Sequence, residues 1–200
     1  MIFGEPTNIE ILVGSKGLLE FEFNFKGVKA HSSNPEKGKS ANMNAVKFLV
    51  ELEEFYKENI RKEENKNYEI PYTTMNVGII NGGSAKNSVS ASCNVMMDFR
   101  TIENKHAESI IEKVNELSKK FDCEVKIIEK VDSFINETDL VEEIKTANFI
   151  TEASFVETDT KIILGPGPVT AHEVNEYIEV DSYDKLVKQY TQILEKNVQN

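Results

Sequence analysis

Hydrophobic and polar residues alternate over positions 18–25, and this two-residue period predicts a β-strand with one buried and one wet face. The apolar positions are Leu19, Phe21, Phe23 and Phe25. A polar loop rich in turn residues follows, and from about Ser40 the hydrophobic spacing becomes helical. The helical positions are Ala41, Ala45, Phe48, Leu52 and Phe55.

Both periods recur further along the chain. Strand-like segments at 72–80 and 88–100 flank Asn81-Gly82-Gly83, which predicts a hairpin bend. A second amphipathic helix and a last strand over 124–131 follow. The helix positions are Ala107, Ile110, Ile111, Val114, Leu117 and Phe121. The order strand, helix, strand, strand, helix, strand predicts an α+β fold, namely a ferredoxin-like βαββαβ unit with both helices on one face of an antiparallel sheet.

This unit spans 16–131 and leaves 1–15 and 132–200 outside it. In the later segment the spacing of Leu140, Val141, Ile144 and Ala147 predicts a helix over 138–150. A short apolar strand at 161–164 runs into Gly165-Pro166-Gly167, and an amphipathic helix closes the chain. Its apolar positions are Tyr183, Leu186, Val187, Tyr190, Ile193 and Leu194. Strand, loop and helix in this order predict part of an α/β layer.

Composition narrows the choice of partners. The 200 residues include 23 Lys+Arg and 34 Asp+Glu, so the net charge is 23 − 34 = −11. Such a field repels phosphates, which argues against a nucleic-acid or anionic-membrane partner. No apolar run approaches the roughly 20 residues of a membrane helix, and no secretory signal pattern opens the chain, so a cytoplasmic location is expected. Cys93 and Cys123 are expected to be reduced, buried thiols.

The sequence contains only three histidines, His31, His106 and His172, which limits the possible metal sites and acid–base groups. His106 is expected to be a surface residue near a helix start with no role. His172 follows the Gly/Pro loop after strand 161–164, and α/β sheets place ligands in loops at the carboxyl ends of strands. Near the amino terminus, Gly4-Glu5-Pro6-Thr7 holds a carboxylate in a rigid, extended turn.

Several motifs occur together and in order. They are Gly4-Glu5-Pro6-Thr7, Gly27-Val28-Lys29-Ala30-His31-Ser32-Ser33-Asn34-Pro35, Gly82-Gly83-Ser84-Ala85-Lys86-Asn87-Ser88-Val89 leading to Asp98-Phe99-Arg100, and Gly165-Pro166-Gly167 leading to Ala171-His172 and Asn175-Glu176. In this combination the chain resembles metallopeptidase family 20, which includes acetylornithine deacetylase, succinyl-diaminopimelate desuccinylase, aminoacylase and glutamate-releasing carboxypeptidases. The resemblance covers essentially the whole chain.

The resemblance implies a catalytic α/β domain with two zinc (or cobalt) ions, interrupted by a lid domain through which two subunits form a homodimer. Glu5 matches the family's carboxylate ligand to one metal, and His172 matches the histidine ligand to the other. The implied substrate is a small N-acyl amino acid or dipeptide. Thr151-Glu152-Ala153 resembles the acetylornithine deacetylase branch, which implies a place in arginine biosynthesis.

The resemblance also implies roles around the substrate. His31 matches the lid histidine that reaches into the partner subunit's active site and stabilises the developing oxyanion. Asn87 and Arg100 match lid residues that contact the substrate's carboxylate end, for which a guanidinium is well suited. Gly165 and Gly167 match the loop that frames the substrate beside the histidine.

The sequence differs from the family at its amino-terminal end. The family's first zinc histidine, its bridging aspartate, its general-base glutamate and the adjacent glutamate ligand all precede the Glu-Pro-Thr motif, which here begins at residue 5. The chain is therefore expected to be the carboxyl-terminal piece of such an enzyme, and on its own neither to hydrolyse N-acyl amino acids nor to retain two zinc ions.

Other interpretations remain open. A dimerisation module without chemistry would also account for an isolated lid. A regulatory domain that binds an amino acid would account for the βαββαβ order, but not for the Gly-Pro-Gly loop followed by a histidine. Within the family, the desuccinylase or dipeptidase branch is the alternative to the deacetylase branch.

Overall fold

The computed structural model describes residues 1–170 and 173–198. The chain forms two compact units. The first consists of Met1–Lys16, Asn67–Glu69 and Ser133–Asn200, and the second of Gly17–Lys66 and Ile70–Asp132. In chain order the elements are β1 (Ile2–Phe3), β2 (Gly14–Ser15), β3 (Gly17–Lys26), α1 (Ala41–Phe55), β4 (Thr74–Gly82), β5 (Ser92–Thr101), α2 (Asn104–Phe121), β6 (Cys123–Val131), β7 (Phe134–Ile135), β8 (Ile162–Ile163) and α3 (Val180–Val198).

The second unit is a four-stranded antiparallel sheet in the order β4-β5-β3-β6. Helices α1 and α2 share the apolar side of this sheet, where they pack on the inward side chains of the central strands. The predicted ferredoxin-like βαββαβ arrangement is therefore confirmed. The predicted inward positions of β3 are at most 1 % exposed; they are Leu19, Phe21, Phe23 and Phe25.

Aromatic packing joins the first helix to this sheet. The ring of Phe48 on α1 lies 4.9 Å from that of Phe23 and 5.3 Å from that of Phe25, measured between centroids. Ser40 begins the helix, because its hydroxyl accepts a hydrogen bond from the backbone N–H of Met43. The helical period that starts at Ala41 is thus matched by a capped amino terminus.

The connection between the second and third strands of this sheet is longer than predicted. Asn81 and Gly82 continue β4 and pair with Asn94 and Cys93, so the bend does not lie at 81–83. Asn and Gly do not mark the turn here, because an edge strand tolerates both residues where a partner strand supplies hydrogen bonds. The connecting loop covers 83–91, and it carries Asn87.

His106 is buried, and the expectation of a surface position was wrong. Its side chain is only 2 % exposed, with Nδ1 2.8 Å from Thr73 Oγ1 and Nε2 3.2 Å from Glu63 Oε2. The helical period places His106 beside the apolar Ala107, and its burial is possible because both ring nitrogens find partners. The hydrogen-bonded ion pair with Lys105, and then the hydrogen bond to His106, lower the pKa of Glu63.

In the first unit, β1 pairs in parallel with β8, and β2 pairs antiparallel with β7. The strand predicted at 161–164 is therefore present. The helix predicted over 138–150 is absent, and that prediction was wrong. Ala147 instead donates its N–H to Gly14 O at 2.9 Å and accepts from Lys16 N at 3.0 Å, so the backbone hydrogen bonds of this segment go to a neighbouring strand.

The closing helix is present as α3, but its apolar residues face in different directions. Leu186 and Ile193 are buried, whereas Tyr183, Val187 and Leu194 are each at least half exposed. Over the described ranges, no helix is both long and apolar enough to cross a bilayer.

Candidate functional site

Two loops of the first unit lie against each other at the candidate metal site. One follows β1 and carries Glu5, and the other follows β8 and begins at Gly165. Ile9 N donates to Gly165 O at 2.9 Å, and Gly165 N donates to Thr7 Oγ1 at 3.1 Å. The Thr7 hydroxyl donates in turn to Glu10 O at 2.7 Å. These bonds fix the Glu5 turn beside the glycine-containing loop.

Both glycines of the second loop permit this close approach. A Cβ on Gly165 would lie 2.0 Å from Glu5 O, and one on Gly167 would lie 2.2 Å from Asn8 Oδ1. Contacts this short exclude any side chain at either position. The structure thus gives Gly165 and Gly167 a packing role against the Glu5 loop, and their predicted contact with substrate remains a prediction.

The backbone of the Glu5 loop is strained. Asn8 and Ile9 adopt positive φ angles of 53° and 68°. This conformation is common for Asn but costs a β-branched residue such as Ile9 about 1–2 kcal/mol. Hydrogen bonds from Asn8 N to Pro166 O and from Ile9 N to Gly165 O hold both residues there. Strain of this kind is concentrated at functional sites, where the surrounding structure enforces it.

The electrostatics around Glu5 suit a cation. Burial, and then the negative charge of Glu152, raise the pKa of the Glu5 carboxyl. Glu152 opens a short 3₁₀ turn, Glu152–Phe155, which begins where Thr151 Oγ1 accepts from Ala153 N. A bound cation would reverse this penalty on the ionised carboxylate.

A cavity of about 320 Å³ opens beside this carboxylate. It is lined by further residues of the two loops and by Glu5, Glu176, Tyr177, Ile178, Leu186 and Tyr190. Tyr190 of α3 donates to Leu164 O at 2.7 Å and so ties the helix to the end of β8. The cavity can therefore admit a small molecule next to Glu5.

Of the two predicted metal ligands, the structure describes Glu5. His172 lies outside the described residues, between Thr170 and Glu173, which are joined by a hydrogen bond from Glu173 N to Thr170 O. Within 1–170 and 173–198, no three His, Cys, Asp or Glu side chains form a group that could hold a metal ion. These residues by themselves therefore do not complete a zinc site, which needs three or four protein ligands.

In the second unit, the structure brings two predicted site residues together. His31 and Ser88 form an isolated antiparallel bridge, and Ser32 N donates to Asn87 O at 3.0 Å. His31 and Asn87 are both exposed, and they share one loop tip beyond the end of β3 and the start of β5. The tip thus carries both an imidazole and a carboxamide.

Arg100 does not belong to this tip. It lies near the other end of β5, where it pairs in register with Leu18 and Thr74, roughly 27 Å along the strand from Ser92. Its Nε donates to Asp98 Oδ1 at 3.0 Å on the polar face of the sheet. Within one subunit, Arg100 therefore cannot contact the same small molecule as His31 and Asn87.

The role of Thr7 was not predicted from the sequence. Its hydroxyl is buried and joins the two loops that carry Glu5 and Gly165. The sequence does contain an indication of this role, because the hydroxyl of a threonine directly after a rigid Glu-Pro pair can accept a hydrogen bond from a nearby backbone N–H. The sequence does not show that the donor comes from the distant loop that begins at Gly165.

A protein-family model and several known proteins match this chain. The model of a family described as the M20 peptidase dimerisation domain matches residues 13–145. The chain is 27% identical over 201 residues to the acetylornithine deacetylase of Myxococcus xanthus, covering 90% of this chain and 53% of that protein. It is 30% identical to the acetylornithine deacetylase of Buchnera aphidicola subsp. Schizaphis graminum, covering 98% and 56%. The chain spans about half the length of these curated relatives.

Solved structures share the fold at lower identity. A tripeptidase from Staphylococcus aureus superposes with a TM-score of 0.77 at 20% identity, over 93% of this chain and 53% of that one. The aminopeptidase PepT from Bacillus cereus gives 0.67 at 19% identity, over 92% and 53%. Because the family model covers well over half of the residues, the chain belongs to the M20 peptidase family and contains its dimerisation domain.

Proposed function

We propose that this chain supplies the lid and the carboxyl-terminal part of the catalytic domain of an amidohydrolase that cleaves N-acyl amino acids, as the named acetylornithine deacetylases do. The observation that carries the proposal is the pairing of the Glu5 loop with the Gly165 loop beside a cavity. Similarity to acetylornithine deacetylases over at least 90% of the chain supports the choice of substrate class.

We assign one metal ligand to each loop, Glu5 to the first and His172 to the second, in a site for two zinc or cobalt ions. Such a pair of metals, when bound, activates a water molecule and polarises the scissile carbonyl. The described residues of this chain do not complete the site, so their own contribution is to hold a carboxylate in a strained, hydrogen-bonded turn. That fixed position lowers the reorganisation needed on ligand binding.

The lid tip contributes hydrogen-bond donors. In this proposal the His31 imidazole donates to the oxyanion that develops on the carbonyl oxygen, and the Asn87 carboxamide contacts the substrate's carboxylate end. A donor placed before the reaction stabilises the developing charge without reorganising. Arg100 is also assigned to the substrate's carboxylate end. Because it lies far along β5 from His31 and Asn87 of its own chain, it would serve a different active site of the dimer from the one that they serve.

The homodimer is proposed to form through an edge of the lid sheet. β6 carries four charged residues along its sequence CEVKIIEKV, whereas β4 carries none along TMNVGIING. Charges on an edge strand prevent pairing with another chain, and an uncharged edge permits it. The β4 edge is therefore the one suited to pair with a second copy about a two-fold axis.

An exposed apolar stripe on α1 extends this surface. Met43, Val46 and Val50 follow helical spacing and are each about half exposed. The first turn of α1 lies beside the end of β4, where Asn42 Oδ1 would be 2.2 Å from a Cβ on Gly82. Ile80 is 62% exposed and pairs with the inward-facing Val95, so it lies on the helix side of the sheet.

Replacing Ile80 with aspartate is expected to weaken the dimer by at least about 30-fold, the effect of losing an interface hot spot. A charge buried without a partner at the two-fold edge would oppose association. Sedimentation equilibrium measures the dissociation constant directly. The matched control is Ile128→Asp on β6, which is 40% exposed on the opposite edge. Equal weakening by both variants, or a wild-type chain that stays monomeric at micromolar concentration, would contradict this assignment.

The activity is tested on two preparations. The 200-residue chain is expected to bind fewer than two zinc ions and to be inactive. The natural gene product that includes this chain is expected to hydrolyse N2-acetyl-ornithine faster than N-succinyl-diaminopimelate or a dipeptide. Metal analysis after gel filtration and a chromatographic assay of the released amine measure both outcomes. Two tightly bound zinc ions on the 200-residue chain, or preference for a dipeptide, would refute this form of the proposal.

A dimerisation module without chemistry is the second candidate. It is favoured by the match of the dimerisation-domain model to residues 13–145. A gene product that dimerises through the β4 edge, binds no metal and hydrolyses none of these substrates would support this candidate over the first.

A further inference from the structure

The loop that carries His31 is a tight turn with fixed ends. Asn34 N donates to His31 O at 2.9 Å, which closes a β-turn with Ser32 and Ser33 at its centre. Ser32 N donates to Asn87 O at 3.0 Å and anchors the turn to the neighbouring loop. The backbone on both sides of the imidazole is thus held in place.

Within this turn, one nitrogen of the His31 ring is occupied. Ser33 N donates to His31 Nδ1 at 3.2 Å, and Ser33 Oγ lies 2.8 Å from the same nitrogen. A backbone N–H can only donate, so Nδ1 must present its lone pair. The neutral ring then carries its proton on Nε2, the nitrogen that Ser33 does not contact.

We propose that Ser33 is a positioning residue that holds the imidazole of His31 in the Nε2–H tautomer, so that the ring offers a hydrogen-bond donor from the lid tip. The proposal rests on the proposed function for the use of that donor, because an oxyanion is stabilised by an N–H group. The opposite tautomer would present the Nε2 lone pair to the oxyanion and repel it.

The tautomer is measured by long-range ¹H–¹⁵N correlation spectra of the 200-residue chain labelled with ¹⁵N-histidine. Spectra are recorded at about pH 8.5, so that the two neutral tautomers are compared. The His31 signals are assigned by their loss in His31→Gln. In the wild-type chain we expect Nδ1 to be unprotonated and Nε2 to carry the proton.

Ser33→Ala removes the hydroxyl but keeps the backbone N–H. The ratio of the Nδ1–H to the Nε2–H form is expected to rise about fivefold, as for loss of one net hydrogen bond. Ser33→Thr restores the hydroxyl and is expected to return the wild-type spectrum. Ser32→Ala is the matched control one residue away, and it keeps the N–H that bonds to Asn87 O.

A wild-type ring that carries its proton on Nδ1, or a Ser33→Ala spectrum identical to that of Ser32→Ala, would overturn the proposal. The readout does not depend on hydrolysis. If the spectra behave as expected but His31→Ala leaves the turnover of the natural gene product unchanged, the oxyanion role fails and the tautomer assignment stands.

In an active preparation, Ser33→Ala is expected to lower kcat by up to about fivefold and to leave KM unchanged, with recovery in Ser33→Thr. An effect on KM alone would show that Ser33 acts through substrate binding and not through His31.

Discussion

Phe48→Ala is expected to lower the free energy of unfolding of the second unit by about 3–5 kcal/mol. Phe48 is fully buried, and its ring packs against Phe23, Phe25 and Phe121, the last at 6.3 Å between centroids. Truncation removes the transfer free energy of the ring and leaves a cavity that α1 and the sheet cannot close, because rigid aromatic side chains line it.

Urea denaturation followed by circular dichroism, at fixed protein concentration, measures this loss. Lys47→Ala is the matched control, since it truncates the preceding, exposed residue of the same helix, and it is expected to change stability by no more than about 0.5 kcal/mol. Hydrogen exchange in α1 and α2 identifies the unit that is destabilised. A loss below about 1 kcal/mol would mean that the aromatic cluster does not hold helix and sheet together.

His31→Ala is expected to lower kcat of the natural gene product by about 100- to 1000-fold with little change in KM, as for loss of one oxyanion donor. The ring lies on an exposed tip and bonds only within its own turn, to Ser33, among the described contacts. Its removal therefore leaves the core intact. Steady-state kinetics measures the loss, and the unfolding transition serves as the check on folding.

Mixing variants tests whether His31 serves the partner subunit. In the natural gene product, the His31→Ala and Glu5→Gln variants are expected to be inactive alone, and mixed dimers of the two are expected to regain up to one active site of two. In such a dimer, the subunit with intact Glu5 receives His31 from its partner. Absence of recovery after exchange of subunits would place His31 at the site of its own chain.

Most of the second unit could be predicted from the sequence because its central strand β3 and its two helices each obey one period. The alternation of Leu19, Phe21, Phe23 and Phe25 admits one strand register, since a shift by one residue would bury glutamates. The α1 positions likewise define one apolar stripe. These local patterns agree with the global fold, and the antiparallel sheet with two helices on one face follows from them.

The first unit was less predictable because its elements are short and its contacts are distant. The helical spacing over 138–150 is genuine, yet the backbone there bonds to residues 13–16, in and beside β2. Two-residue strands such as β1 and β8 carry too few residues to show a period. Tertiary hydrogen bonds therefore decided the conformation of this segment against its local pattern.

The sequence by itself determined the fold of the second unit, the acidic net charge, and the motifs that bear Glu5, His31, Asn87 and His172. Only the tertiary structure decided which of these residues meet. It brought His31 and Asn87 to one loop tip, separated Arg100 from both, and buried His106 between Thr73 and Glu63. The physical reason is that periodicity reports which face a residue occupies, whereas a site depends on contacts between loops that are distant in sequence.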